Sequence, residues 1–145
     1  MRLYTIGFTK KSAAQFFEAL RGANVARIID VRLNNVSQLA GFAKKQDLAY
    51  FLDKICNTQY QHVPLLAPTR QMLDLYKKHG GAWEEYERSF LQLMKERRIE
   101  TAWGQHSRDA DCLLCSEEKP NHCHRRLVAE YLAAHHGDIT IQHLV

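Results

Sequence analysis

The chain has 145 residues, of which 46% are hydrophobic and 25% are charged, and its formal net charge is +4. This length suits a single domain over residues 1–145 with one real core. This net positive charge is smaller than that usual for a dedicated nucleic-acid-binding protein, and it favours an anionic ligand only slightly. No apolar run approaches the roughly 20 residues that cross a bilayer, and the first residues lack a signal peptide, so we expect a cytoplasmic protein without a membrane partner.

The first half of the chain alternates strand and helix patterns. Residues 2–8 are rich in β-branched and aromatic side chains, and the amphipathic stretch that follows has Ser12 as its N-cap and Gly22 as its stop. Residues 25–32 form an apolar run that turns charged, as expected for a strand buried on both faces. A loop, a helix over residues 44–56 and a short strand over residues 60–66 come next.

The second half continues the alternation. Residues 70–79 and 82–99 have helical periodicity on either side of a Gly-Gly break, and residues 111–115 form a fourth apolar strand. A helix over residues 123–136 and a strand over residues 138–144 end the chain. Trp83 and Tyr86 are expected in the core, and Lys77 on a solvated helix surface. The pattern predicts a three-layer α/β/α, Rossmann-like domain with a mostly parallel, roughly five-stranded sheet.

Ligands of such sheets bind beyond the carboxyl ends of the strands, at a topological switch point. Several polar or reactive side chains occupy these positions: Thr9, Asp30, Arg32, Cys115 and Glu117, with Cys123, His124 and Arg125 at the start of the following helix. The carboxylate of Asp30 and the guanidinium of Arg32 emerge together, either to bind and orient an anionic substrate or to pair with each other.

The cysteines admit a metal interpretation. Cys112, Cys115, His122, Cys123 and His124 are the right residue types for a tetrahedral zinc site. Residues three apart in a strand face opposite sides of the sheet, so Cys112 and Cys115 should not bind the same ion. A zinc or iron site made of Cys115, Cys123 and His122 or His124 stays open as an alternative; the main interpretation needs no cofactor.

The thiol interpretation rests on the helix N-terminus, whose free N–H groups and dipole stabilise a thiolate or a bound anion. Cys123 lies there, with His124 and Arg125 expected to add positive charge and Cys115 available as a resolving thiol or second nucleophile. The same groups could hold a phosphate without thiol chemistry. In a reducing compartment we expect free thiols and no structural disulfide, and Cys56 and Cys112 are interpreted as small buried residues.

The strings YTIGF, IIDVR, AGF and LLCSEEKPNHCHR together resemble the bacterial and archaeal family catalogued as domain of unknown function 488, over nearly the whole chain. The family usually has Thr-Ile-Gly-His-Ser at the first strand end, where this chain has Phe8 and Thr9; Asn35 replaces a proline, and Ser37 is retained. The resemblance implies a compact α/β fold and supplies no activity. It selects as matching polar positions Asp30, Arg32, Cys115, Glu117, Cys123, His124 and Arg125.

The leading hypothesis is an enzyme or ligand-binding domain with a phosphate-type anion pocket for a small molecule or nucleotide. Its candidate catalytic residues are Cys115, Cys123, His124, Glu117 and Asp30. Its candidate anion ligands are Thr9, Arg32, Ser37 and Arg125. Besides the metal site, the other alternative is a non-catalytic nucleic-acid or protein interaction module that uses Lys95, Arg97 and Arg98.

Overall fold

The computed structural model describes residues 1–34, 41–117 and 119–145. Its strands are β1 (Arg2–Gly7), β2 (Arg27–Asp30), β3 (Gln59–His62), β4 (Asp111–Cys115) and β5 (Thr140–His143). Its α-helices are α1 (Ala13–Gly22), α2 (Lys45–Phe51), α3 (Arg70–Lys77), α4 (Trp83–Glu96), α5 (Ile99–Ala102) and α6 (His124–His135). The predicted α/β class is confirmed, and every strand pair in the described part of the chain is parallel.

The strands lie in the order β3-β2-β4-β1-β5. The chain therefore runs from β1 outward to β3 and then returns to insert β4 between β2 and β1. Gly7, the last residue of β1, is in register with Cys115, the last residue of β4. Residues far apart in sequence thus meet at one carboxyl edge.

Two apolar cores cover the two faces of the sheet. One contains Phe16, Phe17 and Leu20 of α1 with Leu48 of α2. The other packs α3 to α6 against the opposite face, through residues such as Phe90. Because β1 leads to α1 on one face and the neighbouring β4 leads to α6 on the other, a crevice forms at their carboxyl ends.

The ends of the elements follow local chemistry. Ser12 caps α1, accepting from the Gln15 N–H while the Gln15 side chain accepts from the Ser12 N–H, so the predicted cap is confirmed as a capping box. The strand predicted over residues 60–66 is wrong at its end, since β3 stops at His62 and Pro64 opens a 3₁₀ turn over Pro64–Leu66. Proline has no N–H to donate to a strand ladder. A π-helical turn, Leu52–Cys56, follows α2.

Within the described ranges, no helix combines the length and the apolar character that a membrane span requires.

Candidate functional site

Cys115 and Cys123 are joined through their sulfur atoms in a disulfide at the carboxyl end of the sheet. Cys115 is the last residue of β4, and Cys123 is the N-cap of α6. Their Cα atoms lie 7.5 Å apart. The expectation of free thiols is therefore wrong for this pair, which the loop from β4 to α6 folds back to bring together.

The other two cysteines are free. Cys112 belongs to the core on the α1 face, whereas Cys115 belongs to the core on the α6 face. This confirms that the two strand cysteines point to opposite sides. Burial raises the pKa of both the Cys112 and the Cys56 thiol, so neither is activated.

Arg125 lies directly beside the sulfur pair. Its Nη1 donates to Cys115 Sγ at 3.1 Å, to the Glu117 carbonyl at 2.6 Å and, more weakly, to Cys123 Sγ at 3.7 Å. The side chain has no exposed surface, and burial lowers its pKa to about 10, which leaves it protonated at neutral pH. Arg125 is thus a buried cation that contacts the sulfurs, and it does not reach the cavity next to them.

The close packing of the β4–α6 loop and Arg125 against β1 depends on the absence of a side chain at Gly7. A Cβ atom on Gly7 would collide with the Glu117 carbonyl and would lie 2.7 Å from Arg125 Nη1. The glycine at the end of β1 therefore allows the β4–α6 loop and the guanidinium to approach the backbone.

Asp30 and Arg32 form a bidentate ion pair that is almost wholly buried. Arg32 Nε and Nη2 donate to the two carboxylate oxygens at 2.9 and 2.8 Å, and the Tyr60 hydroxyl donates to Oδ2 at 2.5 Å. The Asp30 carboxylate is saturated by these bonds, so the proposed general-base role finds no geometric support. The alternative of a mutual ion pair describes it better.

Arg32 retains one donor group that Asp30 does not use. Its Nη1 atom is buried and has no hydrogen-bond partner among the described residues. Its guanidinium carbon lies 5.3 Å from the centre of the Phe8 ring. Phe8 thus supplies an aromatic surface against the guanidinium.

A cavity of about 140 Å³ lies between Arg32 and the sulfur pair. Its lining includes Arg32, Cys115, Cys123 and His124, together with aromatic rings from α3 and α4: Tyr76, Trp83 and Tyr86. These rings are mutually packed, with centroids 5.1–5.6 Å apart. These three rings were not among the predicted site residues, although the Gly-Gly break was a signal that α3 ends close to where α4 begins.

His124 is partly buried, and its Nε2 lies 2.7 Å from the Val31 carbonyl oxygen. A carbonyl only accepts, so Nε2 carries the proton and Nδ1 keeps a lone pair. Burial is the main cause that lowers its pKa to about 4. The expectation that His124 adds positive charge beside Cys123 is therefore wrong.

The remaining predicted residues are spread around the site. The Glu117 carboxylate pairs with Lys77 of α3, and both side chains are about half exposed, at 40% and 49%, which places them at the cavity mouth. The Thr9 hydroxyl donates to the Ser116 carbonyl and does not line the cavity. Ser37 and Asn35 fall outside the described residues.

The geometry gives little support to the two alternative interpretations, a metal site and a nucleic-acid interaction module. The His122 ring stacks on Trp83, with centroids 4.9 Å apart. Among residues 1–34, 41–117 and 119–145, no three His, Cys, Asp or Glu side chains converge as a metal-ligand group. Arg97 donates to the Leu65 and Ala67 carbonyls, so it is engaged within the fold instead of being presented to a nucleic acid.

Comparisons with curated proteins and with solved structures gave no match. The comparison with protein families did, since the model of one family matches residues 12–132, which include β2, β4, most of α6 and both cysteines of the pair. The chain therefore belongs to the family described as Domain of unknown function DUF488.

Proposed function

We propose that this protein is a thiol–disulfide oxidoreductase in which Cys115 and Cys123 alternate between dithiol and disulfide. The observation that carries the proposal is the buried Arg125 guanidinium, which donates to Cys115 Sγ while Cys123 Sγ is in bonding contact with the same sulfur. A cation beside a thiol favours the thiolate, which is the reactive form. The adjoining cavity gives both sulfurs a surface on which a substrate can bind.

Two electrostatic effects stabilise a thiolate here: the hydrogen bond from Arg125 and the N-terminus of α6. Their relative magnitudes indicate which cysteine attacks and which resolves. A hydrogen bond to a charged group contributes about 1.5–3 kcal/mol, whereas a helix N-terminus contributes about 0.3–1 kcal/mol. Arg125 Nη1 is nearer to Cys115 than to Cys123, at 3.1 against 3.7 Å. Cys115 is therefore the attacking thiolate, and Cys123, at the N-cap of α6, is the resolving thiol.

The proposed reaction consumes a disulfide. The Cys115 thiolate attacks one substrate sulfur, the substrate S–S bond breaks, and the first substrate thiolate leaves. Cys123 then transfers its proton to the departing second thiolate and attacks the Cys115 sulfur, which closes the Cys115–Cys123 bond. The two cysteines lose two electrons, and the substrate disulfide gains them. We place the protein in the cytoplasm, where cellular thiols would return the pair to the dithiol form.

The test is alkylation of the reduced protein by iodoacetamide over a range of pH, in the variants Cys123→Ser and Cys115→Ser. With Cys123→Ser, Cys115 should react with an apparent pKa at least about one unit below the usual value of about 8.5. With Cys115→Ser, no thiol should react in this low range. Mass mapping of the modified residue identifies the reactive site.

Two results would overturn the proposal. One is a Cys115 thiol that titrates at or above its ordinary value. The other is stoichiometric zinc or iron in protein purified under reducing conditions without added metal, with both cysteines protected from alkylation until a chelator removes it.

A further inference from the structure

Thr5 is a polar residue in the middle of a buried strand. Its neighbours in β1, Tyr4 and Ile6, are core residues, and Thr5 itself has no exposed surface. A buried hydroxyl costs free energy unless it is hydrogen-bonded, so its partners indicate what the group does here. Those partners come from two other elements, Arg125 from α6 and His143 from β5.

The hydrogen bonds at the Thr5 hydroxyl run in one direction. Arg125 Nε lies 3.4 Å from Thr5 Oγ1, and a guanidinium nitrogen only donates, so this oxygen accepts. The single hydroxyl proton of Thr5 is then donated to His143 Nδ1, which lies 2.6 Å from the same oxygen. An Nδ1 that accepts belongs to a neutral ring with its proton on Nε2. Desolvation is the main cause that lowers the pKa of His143, and Arg125 and Arg126 add to it while Glu130 opposes them, which favours the neutral ring.

This chain of hydrogen bonds ends at the sulfur of Cys115. The same guanidinium donates from Nη1 to Cys115 Sγ at 3.1 Å and to the Glu117 carbonyl at 2.6 Å. A guanidinium is planar and rigid, so bonds at Nε and at Nη1 together fix the direction in which its donors point. Without the bond at Nε, the guanidinium of Arg125 would be free to turn about the Glu117 carbonyl and away from the sulfur.

We propose that Thr5 is a positioning residue for the Cys115 thiolate: its hydroxyl, oriented by His143, keeps the Arg125 guanidinium directed at the Cys115 sulfur. This inference rests on the proposed thiol–disulfide function and adds to it the residues that control the reactive sulfur through Arg125. Thr5 and His143 take no part in the exchange reaction itself. The parallel pairing of β1 with β5 places the two residues in register, so the sheet itself builds their contact.

The experiment measures the pH dependence of Cys115 alkylation by iodoacetamide in reduced Cys123→Ser protein, with and without Thr5→Val. Valine keeps the shape of threonine and lacks the hydroxyl, so it removes both hydrogen bonds. The usual net contribution of one hydrogen bond corresponds to a rise of about 0.4–1 unit in the apparent pKa of Cys115. Alkylation at a pH below this pKa should therefore be about two- to tenfold slower.

Three further variants separate positioning from packing. Thr5→Ser restores the hydroxyl in a smaller side chain and should keep the starting pKa of Cys115. Thr58→Val is the matched control, because Thr58 is also a buried threonine and its hydroxyl donates to two backbone carbonyls outside the site. It should lower the stability and leave the pKa of Cys115 unchanged. His143→Phe removes the acceptor that orients the Thr5 hydroxyl and should raise the pKa of Cys115 less than Thr5→Val does.

The outcomes distinguish this inference from the proposed function. If Cys115 titrates at its ordinary value before any change at Thr5, the proposed function fails and the inference fails with it. If Cys115 titrates low and Thr5→Val leaves it there, the function stands and the positioning role of Thr5 is wrong. Equal rises for Thr5→Val and either Thr5→Ser or Thr58→Val also overturn the role. If Thr5→Val does not fold, His143→Phe decides, and an unchanged pKa of Cys115 in that variant overturns the role.

Discussion

Replacing Arg125 by methionine tests whether this guanidinium sets the reactivity of Cys115. The measurement uses the Cys123→Ser background, in which Cys115 cannot form the internal disulfide. Arg125 Nη1 lies 3.1 Å from Cys115 Sγ, within range of a charge-assisted hydrogen bond. Losing a bond of about 1.5–3 kcal/mol to the thiolate corresponds to a rise of about one to two units in the pKa of Cys115.

The assay is the pH dependence of iodoacetamide alkylation, with the reacted cysteine identified by mass. Arg126→Met is the matched control on the same helix, because Arg126 pairs with Glu87 and Glu130 at the surface. It should leave the pKa of Cys115 unchanged. Because Arg125 is fully buried, thermal unfolding of each variant is recorded as well, and Arg125→Lys, which keeps the charge, should raise the pKa less than Arg125→Met.

An unchanged pKa of Cys115 in folded Arg125→Met protein would refute the reasoning. So would equal rises for Arg125→Met and Arg126→Met, since the effect would then come from the overall charge of α6.

Three further predictions concern stability, each measured by urea denaturation. Gly7→Ala should lower the free energy of unfolding by about 1–3 kcal/mol through overpacking. The control Gly22→Ala has nothing within 4 Å of its new Cβ and should not destabilise the fold. Equal losses of stability in the two variants would contradict the close approach at Gly7. The folded-state pKa of His124 is about 4 against 6.5 for the free side chain, so the unfolded chain binds more protons between these values. The free energy of unfolding should therefore fall by up to about 3 kcal/mol as the pH drops through this window. His124→Gln should remove this pH dependence. If the variant and the wild type have the same pH profile of stability, the explanation is wrong. Asp30→Asn leaves the Arg32 guanidinium buried without its carboxylate and should cost about 3–5 kcal/mol; a loss below about 1 kcal/mol would argue against a buried ion pair.

Local patterns in the chain predicted most of the elements that position the site. Ser12 and Gln15 form a cap because both partners lie within one helical turn. Cys112 and Cys115 point to opposite faces because side chains alternate along a strand. Asp30 and Cys115 are the last residues of β2 and β4, so both lie at the carboxyl edge where the parallel-sheet rule predicts a site.

Electrostatic roles could not be predicted from residue type. Next to Cys123 in sequence, His124 looks like a cation, yet desolvation lowers its pKa to about 4 and keeps it neutral, although the hydrogen bond to the Val31 carbonyl acts in the opposite direction. Asp30 looks like a base, yet Arg32 and Tyr60 occupy its oxygens. Charge and protonation depend on desolvation and on partners from other elements, which spacing along the chain does not record.

The sequence by itself determined where strands and helices form and that reactive side chains gather at the carboxyl ends of the strands. These results depend on local periodicity and on a general rule for parallel sheets. Only the tertiary structure decided that β4 lies between β2 and β1, so that Gly7 adjoins Cys115 and admits Arg125 beside the sulfurs. The same long-range packing brought Trp83 and Tyr86 to the cavity, because strand order and helix docking depend on contacts between distant parts of the chain.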